Sequence, residues 1–188
     1  MAQSILKALC ISAVLAASGL TATTVSTFAN PAVGGAAMST TKNIVENAVN
    51  SPIHKTLVAA VKAAGLVDTL QSAGPFTVFA PTDSAFKKLP AGTVATLVKP
   101  ENKDKLTKIL TAHVVSGKIS AKEMMTKAKA MGGKYEMKTV SGDTLTAEVK
   151  GGSLYIVDES GGAAKVTIAD VNQSNGVIHV VNKVLLPK

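Results

Sequence analysis

The stretch Thr77-Val78-Phe79-Ala80-Pro81-Thr82-Asp83-Ser84-Ala85-Phe86 constrains this chain more than any other. Its first four residues are β-branched, aromatic or apolar, which suits a buried strand, and Pro81 ends that strand because it has no N–H to give a ladder. A helix is expected at once. Thr82 has an N-cap side chain, Asp83 and Ser84 bring oxygen and negative charge to unpaired amide N–H groups, and Phe86 begins the apolar face. The stretch reads as a strand-to-helix corner buried on both flanks, and the rest of the chain must supply the layers that cover it.

A second dense stretch lies near the C-terminus, Asn175-Gly176-Val177-Ile178-His179-Val180-Val181-Asn182-Lys183-Val184-Leu185-Leu186-Pro187. Val177 to Val181 is apolar except for His179, as in a strand covered on both faces, and Asn175-Gly176 signals a type I′ hairpin turn between Val171 and Val177. Helical periodicity dominates before Lys134. Ile44, Val45, Ala48 and Val49 share one helical face. Leu57, Val58, Val61 and Ala64 recur at spacings of three and four before Gly65, a natural C-cap, and Leu106, Ile109 and Leu110 stripe a helix over 101–111. Ser120 and Glu123 have capping-box spacing, opening a helix that turns Met124 and Met125 inward. From Lys134 the period becomes two, with turns at Ser141-Gly142, Gly151-Gly152 and Gly161-Gly162, which is the pattern of an antiparallel meander. Helices first and strands later predict an α+β domain.

The two dense stretches together resemble the paired signature segments of the fasciclin (FAS1, beta-Ig-H3) domain family, with Asn43-Ile44-Val45 and Ala112-His113-Val114-Val115 in matching places. The resemblance runs from Asn43 to Pro187 and is to the secreted bacterial single-domain type. It implies the FAS1 fold, a compact antiparallel β core built as a wedge of short strands, with α-helices packed mainly from the N-terminal half. It also implies a cell-adhesion or binding module rather than an enzyme. Thr77, Phe79, Pro81, Thr82, Asp83, Phe86, His113, Asn175, Gly176 and His179 fall on the motif positions. In the family the motif histidines and aspartate are mainly structural. Animal members that support adhesion carry an Asp-Ile pair just before the second motif, where this chain has Asp170-Val171; with His113, these are the candidate contact residues. The family's other contact is a Tyr-His pair, and here Ala112 precedes His113.

The first residues have a different character. Lys7 precedes an uncharged apolar run over Ala8–Leu20, and Thr27-Phe28-Ala29 suits cleavage before Asn30, so residues 1–29 read as a signal peptide. The run is shorter than the roughly 20 apolar residues that span a bilayer, so no membrane anchor is expected after cleavage. Residues 30–42, small and polar with Gly34-Gly35, read as a flexible leader, and 43–187 as one domain. Cys10, the only cysteine, would leave with the signal, so neither a disulfide nor a cysteine-bound metal is expected. The protein should be exported, to the periplasm, the medium or the cell surface.

Composition limits the partners. The formal charge is +8, and every basic residue is lysine, a hydrated point charge suited to diffuse attraction rather than to bidentate recognition of phosphate or bases. With no Trp and two Tyr there are no stacking platforms, which argues against nucleic acid. Phosphate loops, nucleophile elbows and His-Glu-x-x-His are missing from the sequence. His54, His113 and His179 lack neighbouring acids at ligand spacing, so no metal or cofactor is expected. The adjacent acids Asp158-Glu159 read as an exposed turn. A surface or extracellular protein is the expected partner; the rival is an anionic envelope polysaccharide or lipid head group drawn by the lysines. Adhesion by one domain further calls for self-association or docking on a surface protein. Thr82 and Asp83 are read as capping groups, and His113 or His179 as a buried imidazole bonded to a polar group such as Asp83.

Overall fold

The computed structural model describes residues 30–90 and 92–187. The signal-peptide reading lies outside them. In chain order the helices are α1 (Ile44–Asn50), α2 (Lys55–Ala64), α3 (Val67–Gln71), α4 (Asp83–Phe86), α5 (Thr93–Leu97), α6 (Lys103–Ala112) and α7 (Ala121–Ala130). The strands are β1 (Phe76–Pro81), β2 (Val114–Ser116), β3 (Lys134–Lys138), β4 (Thr144–Lys150), β5 (Ser153–Val157), β6 (Ala163–Gln173) and β7 (Gly176–Val181). They form one seven-stranded sheet in the order β2-β1-β7-β6-β5-β4-β3. A bridge from Val115 to Thr139 joins β2 to the end of β3, so the sheet nearly closes on itself. The α+β class and the mostly antiparallel sheet are as expected from the sequence, except that the central strand pair is parallel.

The two dense stretches become the central strand pair. β1 and β7 run parallel and in register, from Phe76 opposite Gly176 to Pro81 opposite Val181, whereas all other pairings are antiparallel. Both strands are apolar on both faces because they separate two cores. Val78 and Ala80 of β1, with Ile178 and Val180 of β7, face a core closed by α1, α2, α3 and α6. Phe79 and Val181 point the other way, into a core inside the curved sheet with Met124, Leu145, Ile156 and Leu185. A strand with one wet face would alternate polar residues; these have no wet face.

Caps fix the helix starts. The Asn43 side chain accepts the Glu46 N–H at 2.9 Å while the Glu46 carboxylate accepts the Asn43 N–H at 2.9 Å, a complete capping box on α1. Thr82 caps α4 by accepting from Ala85 N, and Ser120 caps α7 by accepting from Glu123 N. Gly65 ends α2 in the left-handed region, as expected.

Four expectations need correction. Residues 30–42 are packed rather than loose. Val33 and Met38 lie in the helical core, and Gly34 and Gly35, both at positive φ, make a tight turn closed by reciprocal bonds between Val33 and Ala36. Val49 is 53% exposed, and the inward position on α1 belongs instead to Asn47, which bonds Ser39 and Gln173. The hairpin between β6 and β7 turns at Ser174-Asn175, with Gln173 opposite Gly176, and Asn175 does not adopt positive φ. Finally, Asp158 is buried, for reasons given below.

Candidate functional site

The side chains with chemical potential gather around the β1–β7 pair and the segment that follows it. His113 ends α6 and is 2% exposed. Its Nε2 accepts the Leu185 N–H at 2.9 Å, and a backbone amide can only donate, so the proton of this neutral ring sits on Nδ1 and goes to the Ile109 carbonyl at 2.7 Å. Burial pushes its pKa down to about 4, against the opposing pull of the Ile109 carbonyl and the Asp158 carboxylate.

His179 is fully buried and carries the opposite tautomer. Its Nδ1 accepts the Asp170 N–H at 3.2 Å, which leaves Nε2–H for the Ile119 carbonyl at 2.9 Å. Its ring stacks on Phe79, its cross-strand neighbour on β1, with centroids 5.7 Å apart. Burial holds this imidazole below its ordinary pKa, although the Ile119 carbonyl and the Asp170 carboxylate pull the other way. Each histidine thus joins distant backbone segments, His113 tying α6 to the C-terminal segment and His179 tying β7 to β6 and to the entry into α7.

Neither histidine bonds Asp83, the partner the sequence suggested. The Asp83 carboxylate accepts the Thr56 N–H at 2.8 Å, capping α2 rather than its own helix. Burial opposes its ionisation, but bonds from the Thr56 amide and hydroxyl and the Lys55 amide outweigh that and lower its pKa. Thr77 is likewise occupied: its hydroxyl donates to the Gly117 carbonyl and accepts the Ile119 N–H. Pro81 and Phe86 are core positions, and Asn175 staples three elements, accepting from Ile44 N and donating to the Leu70 and Ser72 carbonyls.

The candidate contact pair divides. β6 is bulged around Ala169-Asp170, where the register to β7 shifts, and Asp170 has φ 56°. Its carboxylate accepts the Ala121 N–H at 2.8 Å at the start of α7, and its side is half-buried. Val171 points into the helical core with no exposure, so it cannot present a side chain to a partner; neither can His113.

Two interior polar features escaped the sequence reading. Asp158 is 7% exposed and clasps two amides, Gly162 N at 2.6 Å and Leu186 N at 3.0 Å. The signal was present in the spacing from Asp158 to Gly161-Gly162, a carboxylate positioned to close a glycine turn over itself. His54 is 3% exposed; its Nδ1 shares a hydrogen with Ser51 Oγ at 2.8 Å, and its Nε2 has no hydrogen-bond partner among the described residues. This hydroxyl–imidazole pair has no acid on the second ring nitrogen. The described residues hold no group of three or more side chains arranged to bind a metal ion.

Comparison with known proteins agrees with this geometry. The fasciclin domain model matches residues 52–187. Protein sll1483 of Synechocystis sp. is 50% identical over 155 residues, covering 82% of this chain and 79% of its own length. Cell surface glycolipoprotein MPB83 of Mycobacterium bovis is 32% identical over 164 residues, covering 84% of this chain and 67% of its own. Among solved structures, the FAS1 domain pair of the insect cell adhesion molecule Fasciclin I superposes with a TM-score of 0.69 at 20% identity, covering 77% of this chain and 51% of that one, a likeness of fold. From its paired central strands to its overall architecture, the chain belongs to the fasciclin domain family.

Proposed function

We propose that this protein is an exported, non-enzymatic binding module that docks on a surface-bound or extracellular protein. The observation that carries this reading is the use made of the interior polar groups. His113, His179, Asp158 and Asp170 each bond the backbone of another segment, and the Ser51–His54 pair lacks an orienting acid, so these groups hold the fold together and recognition is left to the outer face. A cell-surface relative supports export. No helix among the described residues is long and apolar enough to cross a membrane. The first contact to test is Asp170, with the half-exposed residues around it, and without Val171.

The experiment passes the purified protein over immobilised envelope protein and envelope polysaccharide separately, at low and at high salt. The expected result is capture by protein that survives high salt and weakens with Asp170→Asn, a change that removes the charge but keeps the oxygen bonded to Ala121. Capture by polysaccharide alone, vanishing with salt, would overturn the reading and assign binding to the lysine surface.

A further inference from the structure

Between the helical layer and the β1–β7 pair lies a cavity of about 70 Å³. That is several times the roughly 10–15 Å³ in which one water fits, yet nearly all of its wall is hydrocarbon, from Leu57 and Val61 of α2, Leu70 of α3, Leu110 of α6 and Ile178 of β7. Water finds few partners in such a space. One atom breaks the pattern: His54 lines the cavity, and its buried Nε2 has no hydrogen-bond partner among the described residues. A polar atom left so costs free energy that a bonded oxygen would recover. The Ala80 carbonyl is close enough to favour a protonated ring but makes no bond with Nε2. Elsewhere the wall includes residues open to solvent, Lys62 and Thr69 among them, and Val140, an apolar side chain left 45% exposed.

We propose that this cavity binds a slender, largely hydrocarbon molecule with one uncharged oxygen, most simply a straight-chain primary alcohol, whose oxygen pairs with His54 Nε2. Shape sets the first part of that identity. The volume is about half of the roughly 150 Å³ that holds benzene, so the space takes a short chain rather than a ring system. Polarity sets the second part. The Ser51–Nδ1 bond forms with either tautomer, so Nε2 either donates or accepts, and a hydroxyl does both. Charge sets the third. Burial holds His54 below its ordinary pKa, the Ala80 carbonyl and Asp83 carboxylate only partly opposing it, so the ring is neutral and offers a carboxylate no counter-charge. The same volume limits the chain to about three carbons.

The test titrates the purified protein with 1-propanol, 1-chloropropane and propanoate, following the His54 ring nitrogens and the amides of α2 and β1 by NMR. The expected result is a saturable shift at His54 with 1-propanol, and affinity for the alcohol about tenfold above that for the chloride, the worth of one buried hydrogen bond. His54→Phe should abolish that preference. Val58→Phe, at a half-buried position on the cavity wall that leaves His54 untouched, should weaken both ligands at least tenfold with the fold verified by its amide spectrum. Absence of saturable binding, equal affinity for alcohol and chloride, or tighter binding of propanoate would each overturn the proposal. If His54→Phe does not fold, the comparison of alcohol with chloride on the unaltered protein decides alone.

Discussion

At the scale of single residues, the buried histidines couple stability to pH. His113 is held neutral between a backbone donor and a backbone acceptor, and a second ring proton would face the Leu185 N–H. In the unfolded chain the same ring titrates near 6.5, but in the fold only near 4. Between these values the unfolded state carries more protons, so stability is full above the unfolded pKa and falls as pH drops toward the folded one, by on the order of 3 kcal/mol for this group. His54 and His179, also lowered by burial, act in the same direction. Replacing His113 with Gln keeps an acceptor for Leu185 without a titrating ring. His113→Gln should cost about 1–2 kcal/mol at neutral pH but make the decline between pH 6.5 and 4 shallower, read from urea midpoints. An unchanged slope would mean that His113 does not carry the effect. That these histidines are buried was legible in their apolar neighbours. Their partners were not: apart from the Ile109 carbonyl, one helical turn before His113, the rings bond main-chain groups brought close only by the fold, and a backbone amide leaves no trace in residue type.

At the scale of elements, the same limit explains Gly176. In the sequence it reads as the second residue of a hairpin turn, but it is the first residue of β7, and its lack of a side chain serves a different need. A Cβ there would lie 2.1 Å from the Phe76 carbonyl oxygen, so β1 and β7 could not pair at this register. Gly176→Ala should therefore cost about 3 kcal/mol or more. Gly151→Ala, at φ 56° with open space around it, should cost only about 1 kcal/mol of backbone strain. Equal losses in denaturant midpoint would show that β1 yields to the methyl group. Strand existence was legible from alternation and from Pro81, since each is local. The parallel pairing of β1 with β7 was not, because a long-range partner is chosen by what both faces must cover. Asp170 makes a similar point about β6. Its positive φ and its bond to Ala121 make it a link between strand and helix. Asp170→Ala should lower stability by about 1–2 kcal/mol, whereas Asp170→Asn, which keeps the oxygen and tolerates the left-handed region, should lose a few tenths. A loss of partner binding in the alanine variant alone would then report on α7 and not on a contact.

At the scale of the whole molecule, residues 30–42 close the structure. Only Ala163–Lys165 of β6 pair with β5, so among the described residues the later half of β6 has no strand on that side. Asn30 stands in for one. Its side chain accepts the Asn172 N–H at 2.7 Å and donates to the Asn172 carbonyl, making on one residue the two bonds a neighbouring strand would make. Ser174 N–H bonds the Lys42 carbonyl further on, while Val33 and Met38 fill the helical core beneath. Small polar composition made this segment read as a leader, since two buried side chains in thirteen residues give no periodicity to detect. Removing residues 30–42 should strip two core side chains and uncover an unpaired stretch of backbone beside the bulge. The expected loss is about 3–5 kcal/mol in unfolding free energy, the scale of one or two large-to-small core replacements. It should be accompanied by concentration-dependent self-association through the opened edge of β6, measurable by sedimentation. Asn30→Ala separates the two effects: it frees the edge while leaving Val33 and Met38 in place, so it should raise association with little change in the unfolding midpoint. If the truncated protein keeps both its midpoint and its monomeric state, the segment contributes neither packing nor edge protection.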